Sequence, residues 1–124
     1  MRQGRCEDCK HVWHRTICQE CENGSEFEPK NAEIAAKYSA VRLVTEERKR
    51  QYSLYGDQSG KSPYEFLAIL GEEYGELCEA VGETYMKGRH PERGGTEKII
   101  KEAVHVAAVA VQFIEIMRRK EQAK

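Results

Sequence analysis

Ser62-Pro63-Tyr64-Glu65 opens the stretch that decides the fold, SPYEFLAILGEEYGELCEAVGETYM over residues 62–86. A serine followed three residues later by glutamate is a capping box, and proline suits the first helical position because no partner is needed there for an N–H. Behind it Phe66, Leu70, Tyr74, Leu77 and Val81 recur every three or four residues, which is the spacing of one helix face. The pattern predicts a helix from Pro63 to about Met86. The loop from Gly88 to Gly95, with three glycines and Pro91, blocks its continuation. Thr96 is the expected cap of a further helix over roughly Glu97–Glu121, which holds the longest apolar run, AVHVAAVAV from Ala103 to Val111. Upstream, Asn31 is the expected cap of a helix reaching about Leu54, with Ile34, Tyr38, Val41 and Val44 on one face. No alternating strand pattern is present, so the fold class is all-α. The last helix is apolar around much of its circumference, and three helices make a thin core. Two or more copies are therefore expected to pack into a helical bundle, as a homodimer or homotetramer.

The chain has 124 residues, room for one modest domain and a small appendage. Twenty Lys and Arg against 21 Asp and Glu leave a formal charge of -1, so no global field draws nucleic acid or an anionic membrane. MRQGRCEDCK at the start has no hydrophobic stretch and no run reaches membrane-span length, which predicts a cytoplasmic protein without a membrane partner.

Four of the five cysteines fall into two pairs, Cys6-x-x-Cys9 and Cys18-x-x-Cys21. Four thiolates in two such knuckles match the tetrahedral shell of structural Zn²⁺. Residues 1–30 are read as a small zinc-ribbon-like segment whose folding energy is metal binding, and residues 31–124 as the all-α domain. The basic Arg2, Arg5, Lys10, Arg15 and Lys30 are outnumbered by acidic neighbours, which argues against nucleic-acid binding by this segment. Cys78 stands apart and reads as a small core residue.

On a helical wheel Glu73 lies at the border of the apolar arc with Glu76 one turn on, whereas Glu72, Glu79 and Glu83 face away. Glu102 falls inside the apolar arc of the last helix, and His105 follows it by three residues. A buried carboxylate must shift its pKa, pair with a cation or bind a metal. Two readings follow: Glu102 and His105 pair with Arg or Lys of the first helix, or Glu73, Glu76, Glu102 and His105 supply hard ligands to Mg²⁺ or Mn²⁺.

At these residues the chain resembles the MazG-like all-α nucleoside triphosphate pyrophosphohydrolases. That family is marked by Glu-x-x-Glu on one helix and Glu-x-x-Asp on the next. The likeness covers about residues 44–115 and is nearest to the short phage and actinobacterial branch, through ERKRQYSLYGDQ, YEFLAILGEEYGELCEAV and KEAVHVAAVAVQFIE. His105 stands where the family has Asp, and imidazole favours Mn²⁺ over Mg²⁺. The resemblance implies hydrolysis between the α- and β-phosphates of a nucleotide, giving a monophosphate and pyrophosphate. Glu72 or Glu73 is the expected proton acceptor, beside the metal carboxylates Glu76 and Glu102. Arg48, Arg50, Lys61, Lys87, Arg89 and Arg93 are candidates for the phosphate clamp, and Gln51, Tyr55 and Gln58 for contacts to base or sugar. The alternative is a non-catalytic zinc-bearing helical adaptor, or a nucleotide-binding protein with a degenerate metal site. Gly56-Asp57-Gln58-Ser59-Gly60-Lys61-Ser62 imitates a phosphate-binding loop but has three residues between its glycines where four are needed, and no strand pattern precedes it.

Elemental analysis of the purified chain is expected to find about one zinc per molecule; a metal-free chain with a folded N-terminal segment would refute the four-cysteine reading.

Overall fold

The structure is a computed structural model that describes residues 31–86 and 90–123. The four zinc-ligand candidates Cys6, Cys9, Cys18 and Cys21, and the clamp candidates Lys87 and Arg89, lie outside the described residues. The described chain forms three α-helices, α1 (Ala32–Tyr55), α2 (Pro63–Tyr85) and α3 (Thr96–Gln122), with a 3-10 turn at Pro91–Arg93. Among the described residues there is no strand, as an all-α fold requires. The chain divides into two compact units, Met1–Leu43 and Val44–Lys124. Of the first, the described part is the N-terminal half of α1, where the Asn31 carboxamide caps the helix by accepting the Ile34 N–H at 2.9 Å. No residue of α1 is buried.

The second unit is built on the α2–α3 hairpin. The Ser62 hydroxyl accepts the Glu65 N–H at 3.2 Å while the Glu65 carboxylate accepts the Ser62 N–H at 2.6 Å, so the capping box forms in full. Ser62 is thus a helix cap and not part of a phosphate-binding loop. The start of α3 differs from expectation: Gly95, not Thr96, holds the cap position, and Thr96 is already helical. Gly95 has φ +105°, a conformation that favours glycine, and its N–H bonds to the Thr84 hydroxyl at 2.7 Å. A Cβ at Gly94 would stand 2.7 Å from the same hydroxyl. The two glycines therefore let the chain pass against the end of α2 and turn back. Arg93 bonds Glu79 at 2.9 Å and the His90 N–H bonds Glu83 at 2.8 Å, tying the loop to the flank of α2.

The core of the hairpin comprises Phe66 and Ala80 of α2 and Ala108, Val109 and Ile116 of α3. Phe66 meets Phe113 with ring centroids 5.7 Å apart, a tilted pair. The apolar arc expected on α2 is only partly inward. Leu70 and Leu77 are half-buried, but Tyr74 and Val81 are exposed, and so is Cys78, which is not a core residue. These three lie on a second apolar face beside the one that meets α3, and one neighbouring helix cannot cover both. On α3 the counterparts Ile100, Ile114 and Met117 are likewise exposed. No described helix is long and apolar enough to cross a membrane.

Candidate metal centre

Halfway along the seam between α2 and α3, where apolar side chains would be expected, the structure places a polar group. Glu73 and Glu76 project from α2, and Glu102 and His105 from α3; each offers one ligand atom, and these atoms all lie within 4.8 Å of one another. Glu102 is 1% exposed and, with Phe66, is one of the two largest fully buried side chains among the described residues. Its position follows from periodicity alone, because Glu102, Val109, Phe113 and Ile116 share one face of α3.

The charge on Glu102 is compensated within its own helix. One oxygen, Oε1, is held by the Lys98 ammonium one turn earlier. The expected pairing with a basic residue of the first helix does not occur. Burial pushes the Glu102 carboxyl up, but the hydrogen bond and charge of Lys98, joined by the nearby His105 and a hydrogen bond with Glu76, together leave the group below the ordinary carboxylate range. Glu73 goes the other way: burial raises its carboxyl, the nearby carboxylates of Glu76 and Glu102 add to the rise, and His105 only partly offsets it.

The remaining oxygens are more telling. His105 Nδ1 lies 3.2 Å from Glu102 Oε2 and 3.4 Å from Glu73 Oε2. Yet neither of these buried oxygens accepts a hydrogen bond. A buried carboxylate oxygen without a donor costs about 1–3 kcal/mol or more. A divalent cation is the kind of group that satisfies several at once. Ligands about 2.1 Å from one ion lie no more than about 4.2 Å apart, so the observed spread needs only a few tenths of an ångström of contraction. Three carboxylates and one imidazole form a donor set for Mg²⁺ or, given the nitrogen, Mn²⁺.

Beside the cluster lies a cavity of about 320 Å³, lined by Arg50, Gln51, Tyr55, Gln58, Lys61, Glu73, His105 and Gln112 among others. Five of the residues singled out from sequence as substrate contacts, Arg50, Gln51, Tyr55, Gln58 and Lys61, thus converge on one space. Arg48 faces a second cavity of about 390 Å³ and is engaged by Glu115 at 2.8 Å. Arg93 is paired with Glu79. Glu72 is exposed and the structure does not bring it to the cluster.

Three participants escaped the sequence reading. Glu47 of α1 reaches His105 Nε2 at 3.7 Å and is gripped by the Arg50 guanidinium at 2.6 and 2.8 Å, which holds its carboxyl below the ordinary range. Within ERKR it looks like one more surface charge. Lys98 was readable as the i,i+4 partner of Glu102. Gln112, buried on α3, donates weakly to Gln58 at 3.4 Å. Comparison with known protein families, curated proteins and solved structures finds no match.

Titration calorimetry with Mn²⁺ is expected to show saturable binding, with the folded state stabilised by about 2.7 kcal/mol at 100 times the Kd. Glu102→Gln should abolish the heat while circular dichroism stays helical; undiminished binding in that variant would rule the cluster out as the site.

Proposed function

We propose that this chain is a metal-dependent nucleoside triphosphate pyrophosphohydrolase of the MazG-like kind, cleaving between the α- and β-phosphates to release a nucleoside monophosphate and pyrophosphate. The single observation that carries the reading is the pair of buried, donor-less oxygens of Glu73 and Glu102 converging with His105 beside a cavity walled by Arg50 and Lys61. Glu73, Glu76, Glu102 and His105 are the residues that would hold Mg²⁺ or Mn²⁺. The bound ion would supply Lewis-acid stabilisation of phosphate charge and help orient water.

The side chains perform the rest. Lys61 and the outer edge of the Arg50 guanidinium present positive charge to the phosphates, although Arg50 is also occupied with Glu47. Glu73 is the proton acceptor that the arrangement favours over Glu72: it lines the cavity, its Oε2 is free of donors, and burial raises its affinity for a proton. Water attacks the α-phosphorus, the α–β anhydride P–O bond breaks with pyrophosphate leaving, and the proton lost by water passes to whichever Glu73 carboxylate oxygen the cation would leave free. Tyr55, Gln51 and the Gln58–Gln112 amide pair line the part of the cavity suited to base and sugar, with donors and acceptors but no fixed charge. His105 in place of Asp is what favours the second reading, a nucleotide binder without turnover.

Self-association belongs to the same proposal. Tyr64, Leu67, Gly71, Tyr74, Cys78, Val81 and Tyr85 alternate three and four residues apart on the open face of α2, and Ile100, Ala103, Ala107, Ala110, Ile114 and Met117 do so on α3. Tyr64, Tyr74 and Tyr85 are 82%, 61% and 72% exposed. At about 150–250 Å² per aromatic side chain, the tyrosines alone present some hundreds of Å². That area lies in the range of patches that mark interfaces. Helix α2 carries six Glu and no Lys or Arg, so two copies of it would repel. The bulky stripe of α2 is therefore expected to seat on the α3 stripe of a partner, where Ala103, Ala107 and Ala110 leave room for it.

Incubation with each NTP and dNTP plus Mg²⁺ or Mn²⁺ should release pyrophosphate, and Glu73→Gln should cut the rate by about 10²–10⁴-fold. Nucleotide binding without any release at high protein concentration would favour the non-catalytic reading. Sedimentation should find a dimer or tetramer that Leu67→Glu dissociates; a wild-type monomer would overturn the assembly.

A further inference from the structure

His105 is poised between two sets of carboxylates. Its Nδ1 faces the cluster, 3.2 Å from Glu102 Oε2 and 3.4 Å from Glu73 Oε2, while its Nε2 faces Glu47 Oε1 at 3.7 Å. The two ring nitrogens of a neutral imidazole play opposite roles, one bearing the proton and the other a lone pair. The group facing each nitrogen decides which is which. A metal-ligating histidine commonly gives its other N–H to a carboxylate, which fixes both tautomer and ring orientation.

We propose that Glu47 is a positioning residue for His105: it draws the ring proton to Nε2 and so leaves Nδ1 bare, as a lone-pair donor to the cation held by Glu73, Glu76 and Glu102. The inference rests on the cation-site reading and extends it to a residue on a third helix. Its geometric basis is the way Glu47 is fixed. The Arg50 guanidinium engages both of its oxygens, at 2.6 and 2.8 Å, and the Gln51 amide adds a weak bond at 3.4 Å. A forked grip of this kind sets the direction of a carboxylate as well as its charge. The Glu47 side chain is 10% exposed and the His105 side chain 18%, so water competes little for the contact. At 3.7 Å the pair stands about half an ångström beyond hydrogen-bond length. Contacts of this kind tighten when a site is loaded. Arg50, Glu47 and His105 then form a relay that ends at the cluster. The relay gives chemical sense to a histidine at a position where an anionic oxygen would serve a hard cation directly. A carboxylate behind the imidazole fixes the direction of the ring and supplies the missing negative charge at one remove.

The test is a double-mutant cycle read by Mn²⁺ affinity, from calorimetry and from electron paramagnetic resonance of free Mn²⁺, on the full chain. Glu47→Leu removes charge and acceptor while keeping a good helix former. Glu47→Gln keeps the shape and serves should the leucine variant fail to fold. With His105 present, either change is expected to weaken Mn²⁺ binding by about 10–100-fold. In a His105→Asp background, where no imidazole needs orienting, the same change should have little effect. Nitrogen NMR of the chain loaded with diamagnetic Mg²⁺ adds a readout independent of affinity: the His105 ring, identified by its loss in His105→Asp, should show the Nε2–H tautomer in the wild type and a mixture in Glu47→Leu. An equal loss of affinity in both backgrounds would overturn the inference, because Glu47 would then act by bulk charge or as a ligand itself. No loss in either, or an unchanged tautomer, would overturn it too. A wild-type chain that binds no Mn²⁺ would remove the cation site and this inference together, whereas Mn²⁺ binding without coupling would remove only the role of Glu47.

Discussion

Burial of the Glu102 carboxylate at the α2–α3 seam is the constraint around which the second unit is organised. A charge in that position is tolerable only if its oxygens are engaged, and the neighbouring residues divide the task. Lys98 takes one oxygen from the same helix; His105 and Glu73 stand around the other. The packing of the hairpin follows suit. Phe66 and Phe113 close the apolar layer on one side of the polar group, and Ala80 on α2 is small enough for the helices to stay near one another. Replacing this layer by aliphatic side chains of similar volume would make a more ordinary hairpin, so the acidic layer costs stability.

The fold was largely readable because its signals are local. A serine, a proline and a glutamate within four positions define where α2 begins, and the structure contains each of their bonds. Glu102 and His105 were readable because helical periodicity puts them among apolar neighbours, a conflict visible without coordinates. Glu47 was not readable, since its meaning depends on which helix passes over His105, and nothing within ERKR distinguishes it from its neighbours. The cap at the start of α3 was misread for a related reason: threonine is a good cap in isolation, but the Thr84 hydroxyl on α2 claims the Gly95 N–H and shifts the boundary by one residue. Tyr74, Cys78 and Val81 show the limit of a wheel. It identifies an apolar surface but not how many partners are present to cover it.

The cavity beside the seam shows how few elements are needed to enclose a space lined by polar and charged side chains. The last turns of α1 contribute Arg50, Gln51 and Tyr55, the connecting loop contributes Gln58 and Lys61, and the two hairpin helices form the wall. The loop is itself disciplined: Asp57 accepts the Ser59 N–H at 2.9 Å and is held by Arg119 at 3.1 Å, which lowers its carboxyl below the ordinary range. Gln58 and Lys61 are thus carried on a turn with defined shape.

Lys98 sits four residues before Glu102, so the counter-charge for the most buried acid among the described residues is encoded one helical turn from the acid itself. A tethered ammonium is never scarce and cannot be chelated away. The buried acid is thereby balanced by the polypeptide itself, through a side chain whose outer part stays in contact with water.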